Sequence, residues 1–130
     1  MNYGSTQTPV EIRQKRAAKV VEIAWANGRK FTYPMEYLRI GCPCADCRGH
    51  TPDQAKLIDG KEGVGIDRIE PVGHYAVKIT FSDGHDTGVF SWEVLWDLGE
   101  NQDAYWKAYL QDLERTGKRR KPTVFPIKPV

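Results

Sequence analysis

The first regular alternation of apolar and polar side chains falls at Val20-Val21-Glu22-Ile23-Ala24-Trp25, the pattern of a half-buried strand. Asn27-Gly28 follows, and then Lys30-Phe31-Thr32-Tyr33. Both Asn and Gly tolerate the positive φ of a type I′ turn, so these runs predict a β-hairpin as the opening of the domain. Pro34 suits a first helical position, and Met35-Glu36-Tyr37-Leu38-Arg39-Ile40 reads as a short helix that Gly41 ends. Residues 48–63 carry Gly, Pro, Asp and Lys without periodicity and read as a loop.

A second β region is expected over residues 64–69, broken at Pro71-Val72-Gly73 and resumed over residues 74–81, with Tyr75, Val77, Ile79 and Phe81 on one face. Asp83-Gly84 predicts a second hairpin turn, leading into residues 85–90. Ser91 then caps a short helix carrying Trp92, Leu95 and Trp96 at helical spacing, with Gly99 as its stop. A last helix over residues 101–116 places Trp106, Tyr109, Leu110 and Leu113 on one stripe and ends at Gly117. Strands mixed with short helices, and no βαβ rhythm, predict an α+β fold: a small, largely antiparallel sheet built from hairpins, with the C-terminal helix packed on it.

A chain of 130 residues accommodates one domain. Its expected extent is residues 9–116, between a flexible N-terminus at 1–8 and a basic, Pro-containing, disordered tail at 117–130. The composition, 40% hydrophobic and 28% charged, is that of a soluble globular protein, and no apolar run is long enough to suggest a membrane span. Residues 1–8 lack the charged start and apolar stretch of a secretory signal, so a cytoplasmic location is expected. The net charge of +2 conceals an asymmetry: residues 115–130 hold six basic residues and no acidic ones, leaving 13 basic against 17 acidic before them. The body is acidic and the tail basic. Such a tail can attract nucleic acid through its phosphates, although a solvated tail is the simpler reading. Arg39, Arg48 and Arg68 can add local positive surface. Trp92, Trp96 and Trp106 with Tyr105 and Tyr109 could form a recognition surface, but their helical spacing more commonly means core.

The candidate chemistry lies in Cys42-Pro43-Cys44-Ala45-Asp46-Cys47. Three thiols in six positions do not make a disulfide framework, whereas thiolates at this spacing can chelate one metal ion at little loop-closure cost. A closed structural zinc site takes four ligands, and Cys₃His is a recurrent set. An iron–sulfur cluster is the alternative cofactor, since C-x-x-C serves redox and cluster sites as well. His50, His74 and His85 compete for the fourth position. His50 lies so close that the metal would staple a loop only to itself, and His74 suits a plain turn residue. If Asp83-Gly84 is a two-residue turn, Ser82 pairs with His85, Phe81 with Asp86 and Thr80 with Thr87, which puts His85 off the Tyr75/Val77/Ile79/Phe81 face and leaves it available to the cysteines.

The run Tyr37-Leu38-Arg39-Ile40-Gly41-Cys42-Pro43-Cys44-Ala45-Asp46-Cys47, with Phe81-Ser82-Asp83-Gly84-His85 and Trp92-Glu93-Val94-Leu95, resembles the gamma-butyrobetaine hydroxylase-like N-terminal domain family. The likeness extends over about residues 9–99, and bacterial members, often freestanding and of unassigned function, resemble the chain more closely than the hydroxylases do. In the hydroxylases this domain precedes an oxygenase domain and holds zinc. The resemblance implies Cys42, Cys44, Cys47 and His85 as ligands. The hydroxylase activity is not expected to carry over, because these 130 residues show no oxygenase pattern and none of the three histidines has an acidic residue two positions later, as an iron facial triad requires. Four protein ligands would also leave zinc no open position for water. The expectation is therefore not an enzyme but a structural zinc-binding accessory or interaction module with a protein partner; the alternative function is iron–sulfur cluster handling.

Overall fold

A computed structural model describes residues 8–44 and 57–121. Among the described residues nine elements follow one another: β1 (Pro9–Lys15), β2 (Val20–Trp25), β3 (Lys30–Pro34), α1 (Met35–Ile40), β4 (Ile66–Val72), β5 (Ala76–Phe81), β6 (Gly88–Ser91), α2 (Trp92–Glu100) and α3 (Gln102–Thr116). They form two antiparallel three-stranded sheets, ordered β1-β2-β3 and β4-β5-β6, so the fold is α+β as expected. Residues 1–8 and 48–63 of the expected loops fall partly, and residues 122–130 of the tail wholly, outside the described residues.

The core lies where the inner sides of the sheets meet α1 and α2. Val21, Ile23 and Trp25 come from β2, Tyr33 from β3, Val77, Ile79 and Phe81 from β5, Phe90 from β6, and Leu95 and Leu98 from α2. Each such side chain removed from water contributes roughly 1.5–3 kcal/mol before the entropy of ordering is subtracted. Tyr33 and Tyr37 reach through this core to donate hydrogen bonds to the Leu95 and Leu98 carbonyls, at 2.6 and 2.7 Å. Burial pushes both phenols well above their ordinary pKa.

Several details depart from the sequence pattern. β1 was not expected, since its burial alternates weakly along an edge strand. Tyr75, expected on the core face, is 60% exposed, because the chain is still turning after Gly73 and β5 begins at Ala76. Pro71 does not break the second β region; it lies in β4, opposite Val77, on an edge strand, where proline is tolerated. Gly99 does not stop its helix but lies inside α2, where a Cβ would come within 2.3 Å of Phe31 and 2.6 Å of the Tyr33 hydroxyl. It is there because α2 crosses β3 closely. Asn101 ends α2, so the last helix starts at Gln102. Gly117, at φ 72°, caps α3 in the left-handed region, and the Lys118 N–H returns to the Leu113 carbonyl.

The α3 stripe meets α1 and the loop before β4: Trp106 packs edge-on against Tyr37, and the Tyr109 hydroxyl donates to the Ile58 carbonyl at 2.7 Å. Leu110 is 39% exposed and lies off the stripe. Beyond α3 the basic segment turns back. The Arg119 and Arg120 carbonyls accept the Gly60 and Glu62 N–H groups, and the Arg120 guanidinium forks onto the buried Glu36 carboxylate at 2.8 and 3.0 Å while stacking on Trp106. Part of the expected tail is thus bonded to α1. No helix among the described residues is long and apolar enough to cross a membrane.

Candidate metal centre

α1 delivers the first two cysteines. Its last turn ends at Ile40, and the Gly41 N–H bonds back to the Tyr37 carbonyl. Gly41 is at φ −92°, so its lack of a side chain serves the close approach of Leu98 rather than a left-handed cap. Cys42 follows with no exposed surface, as part of the core, and Cys44 is half-buried.

The histidine comes from the β5–β6 connection. Here the expected two-residue turn is replaced by a three-residue one: the Gly84 N–H bonds to the Phe81 carbonyl, and the Phe81 N–H to the His85 carbonyl. Phe81 therefore faces His85, not Asp86. The ladder resumes with Ile79 opposite Gly88, so Thr80 alone spans the gap facing Asp86 and Thr87. That extra residue is a β-bulge, which redirects the side chains around it. The His85 ring, expected off the core face, is half-buried and lies 6.3 Å from the Phe81 ring.

Its Nε2 lies 3.2 Å from Cys42 Sγ and 3.4 Å from Cys44 Sγ, and the three candidate ligand atoms all lie within 4.8 Å of one another. Ligand atoms around a tetrahedral zinc, with bonds of about 2.0–2.3 Å, stand roughly 3.5–3.8 Å apart. The described donors thus have the spacing and chemistry of part of a metal site. Gly88 supports it: a Cβ there would come within 2.9 Å of both Cys42 Sγ and the Phe90 ring. The Thr87 hydroxyl lies 3.5 Å from Nε2.

Behind the ligands sits Asp83. One carboxylate oxygen accepts the His85 N–H at 3.0 Å; the other accepts Arg39 Nε at 2.9 Å and Lys61 Nζ at 2.6 Å. Burial alone would raise this carboxyl, but bonds from Lys61, the His85 N–H and Arg39 outweigh it and hold the pKa at about 2. Arg39, expected to add surface charge, is buried in this contact, whereas Arg68 is exposed beside Glu70. His74 stands exposed in the β4–β5 turn, where its carbonyl accepts the Trp92 indole N–H. Cys47, His50 and Arg48 lie outside the described residues. Sequence reasoning missed Asp83, Arg39, Lys61 and Gly88 as supports; only the Asp-Gly turn hinted at the first. Of the aromatic group, Trp92, Trp96 and Trp106 pack against the core, Tyr109 is buried and Tyr105 is 40% exposed.

A small α+β domain with a Cys/Cys/His group able to hold a metal ion is the class that fold and site define. The family described as gamma-butyrobetaine hydroxylase-like, N-terminal, matches residues 12–96, and the chain belongs to that family. Two proteins with NMR solution structures are similar over nearly their whole lengths. One is 38% identical with a TM-score of 0.81, covering 100% of this chain and 98% of the other; the second is 35% identical with a TM-score of 0.79, covering 96% and 98%. A crystal structure of a protein of unknown function of the DUF971 family, from Acidithiobacillus ferrooxidans, is 42% identical with a TM-score of 0.60, covering 71% of this chain and 92% of the other.

Proposed function

We propose that this protein is a zinc-binding accessory module in which Cys42, Cys44 and His85, joined by Cys47, hold one Zn²⁺ that ties the segment after α1 to the β5–β6 connection. The observation that carries this reading is the convergence of two thiols and an imidazole nitrogen within 4.8 Å from segments more than forty residues apart. A set of four protein ligands leaves no position for an activated water, so the metal acts as a staple and the domain as a docking partner for another protein rather than as an enzyme.

Metal analysis of protein purified without oxygen tests this. One zinc per chain in a colourless sample is expected. A brown sample with visible absorption and iron would establish cluster binding instead, and a chain that takes up neither metal would refute the site.

A further inference from the structure

We infer that Arg39 and Asp83 form a positioning latch that holds His85 in its ligand position without the metal, so that zinc enters and leaves a site already formed in a folded domain. This rests on reading Cys42, Cys44 and His85 as a metal site. Small zinc domains are commonly unfolded without metal, because nothing else brings their ligands together. Here something does.

Arg39 stands three residues before Cys42, at the end of α1, with a side chain only 8% exposed. Asp83 stands two residues before His85. Its Oδ2 takes the Arg39 Nε bond and its Oδ1 takes the His85 N–H, so one carboxylate grips the cysteine arm with one oxygen and the histidine backbone with the other. Lys61 adds a second cation at Oδ2, and the Arg39 guanidinium lies 5.9 Å from the Phe81 ring centre, across from His85. Charge-assisted bonds of this kind are short and directional, and none of them needs the metal. Cys42 is fixed independently by its burial in the core. Ligands oriented in advance lower the ordering cost of binding, and loss of such outer partners typically weakens metal sites 10–100-fold.

The experiment compares wild type with Asp83→Ala and Asp83→Asn. Zinc affinity is read by competition with a chromophoric chelator, and ligand geometry from the visible spectrum of the Co²⁺-loaded protein. Asp83→Ala is expected to bind zinc about 10–100-fold more weakly with altered cobalt bands. Asp83→Asn keeps an acceptor for the His85 N–H and should fall between it and wild type. Wild-type affinity and an unchanged cobalt spectrum in Asp83→Ala would overturn the latch. Should that variant not fold, wild-type protein stripped with EDTA decides: its His85 amide should be protected from hydrogen exchange, and an unprotected amide would overturn the inference. A wild type that binds no zinc refutes the metal reading, and the same exchange measurement still judges the latch.

Discussion

The β2–β3 and β5–β6 connections are built on the same turn and end differently. In each, an Asx-Gly pair sits in a three-residue loop. Gly28 and Gly84 have φ of 88° and 90°, and each donates its N–H three residues back, to Trp25 and Phe81. Asn27 and Asp83 each accept the N–H two residues on, from Arg29 and His85, at 3.0 Å. After Arg29 the ladder continues at once with Ala24 opposite Lys30, whereas after His85 a bulge intervenes before Gly88. Arg29 ends over the Phe31 and Trp96 rings; its counterpart His85 ends among cysteines. Turn chemistry therefore sets the reversal of the chain, and the residue count after the turn decides where the following side chain is delivered. The change from Asn to Asp adds the charge that draws in Arg39 and Lys61.

The sharpest break of this pairing is to remove the two equivalent side chains. His85→Ala should lower zinc affinity by more than the roughly 100-fold that outer partners command, while Arg29→Ala leaves it unchanged; chelator competition reads both. Equal effects would mean that the bulge has no special role. The next difference is alkaline. Tyr33 anchors the first hairpin to α2, Tyr37 anchors α1 to it, and Tyr109, held up at about 12 mainly by burial, closes α3 on the loop before β4. Each folded-state pKa lies above the unfolded value of about 10, so the stability these groups contribute is intact below pH 10 and is lost as pH rises beyond it. Denaturant melts should show about 1.4 kcal/mol lost per tyrosine at pH 11, and Tyr33→Phe should flatten that limb.

The comparison also explains what could be read from sequence. The places of both turns were legible from Asn-Gly and Asp-Gly, though not their type: each is a three-residue loop with positive φ at the glycine alone, where a two-residue type I′ turn was expected. Legible too were β2, β3, α1, the Ser91 cap, whose hydroxyl accepts the Val94 N–H, and the Gly117 stop. His85 was singled out both by a hairpin register and by the family resemblance; it does lie beside Cys42 and Cys44, but the two-residue register behind the first argument is overturned. Loop length and the bulge depend on how β5 and β6 meet, and no local pattern records that. β1 was missed because its inward positions are Pro9, Ile12 and Gln14, of which only one is a strong strand signal. Gly99 was misread for a related reason: a glycine that yields space to another element looks like one that ends a helix.

Two glycines that yield space sharpen the comparison further, since one serves each connection. Gly99→Ala places a methyl into Phe31 and Tyr33, on the first hairpin's side; Gly88→Ala places one against Cys42 Sγ and Phe90. Each should cost about 1–3 kcal/mol by overpacking. Thermal melts of the stripped proteins should show a loss in each, larger for Gly99→Ala, whose contacts are tighter. Zinc titration should separate them: Gly88→Ala also weakens binding, and Gly99→Ala, in its folded fraction, does not.

The smallest effect isolates the turns themselves. Nothing lies within 4 Å of a Cβ built at Gly28 or at Gly84, so an alanine at either meets no neighbour and pays only for its positive φ. That cost is about 1–2 kcal/mol and should be nearly the same at both, because the dihedrals are nearly the same. In stripped protein, Gly28→Ala and Gly84→Ala should therefore shift the denaturation midpoint equally. With zinc present the shifts should diverge. Gly84→Ala perturbs the loop that orients Asp83 and His85, so it loses part of the metal's stabilisation, while Gly28→Ala keeps all of it. Equal shifts under both conditions would show that the metal does not sense the turn, and that His85 is held by the bulge alone.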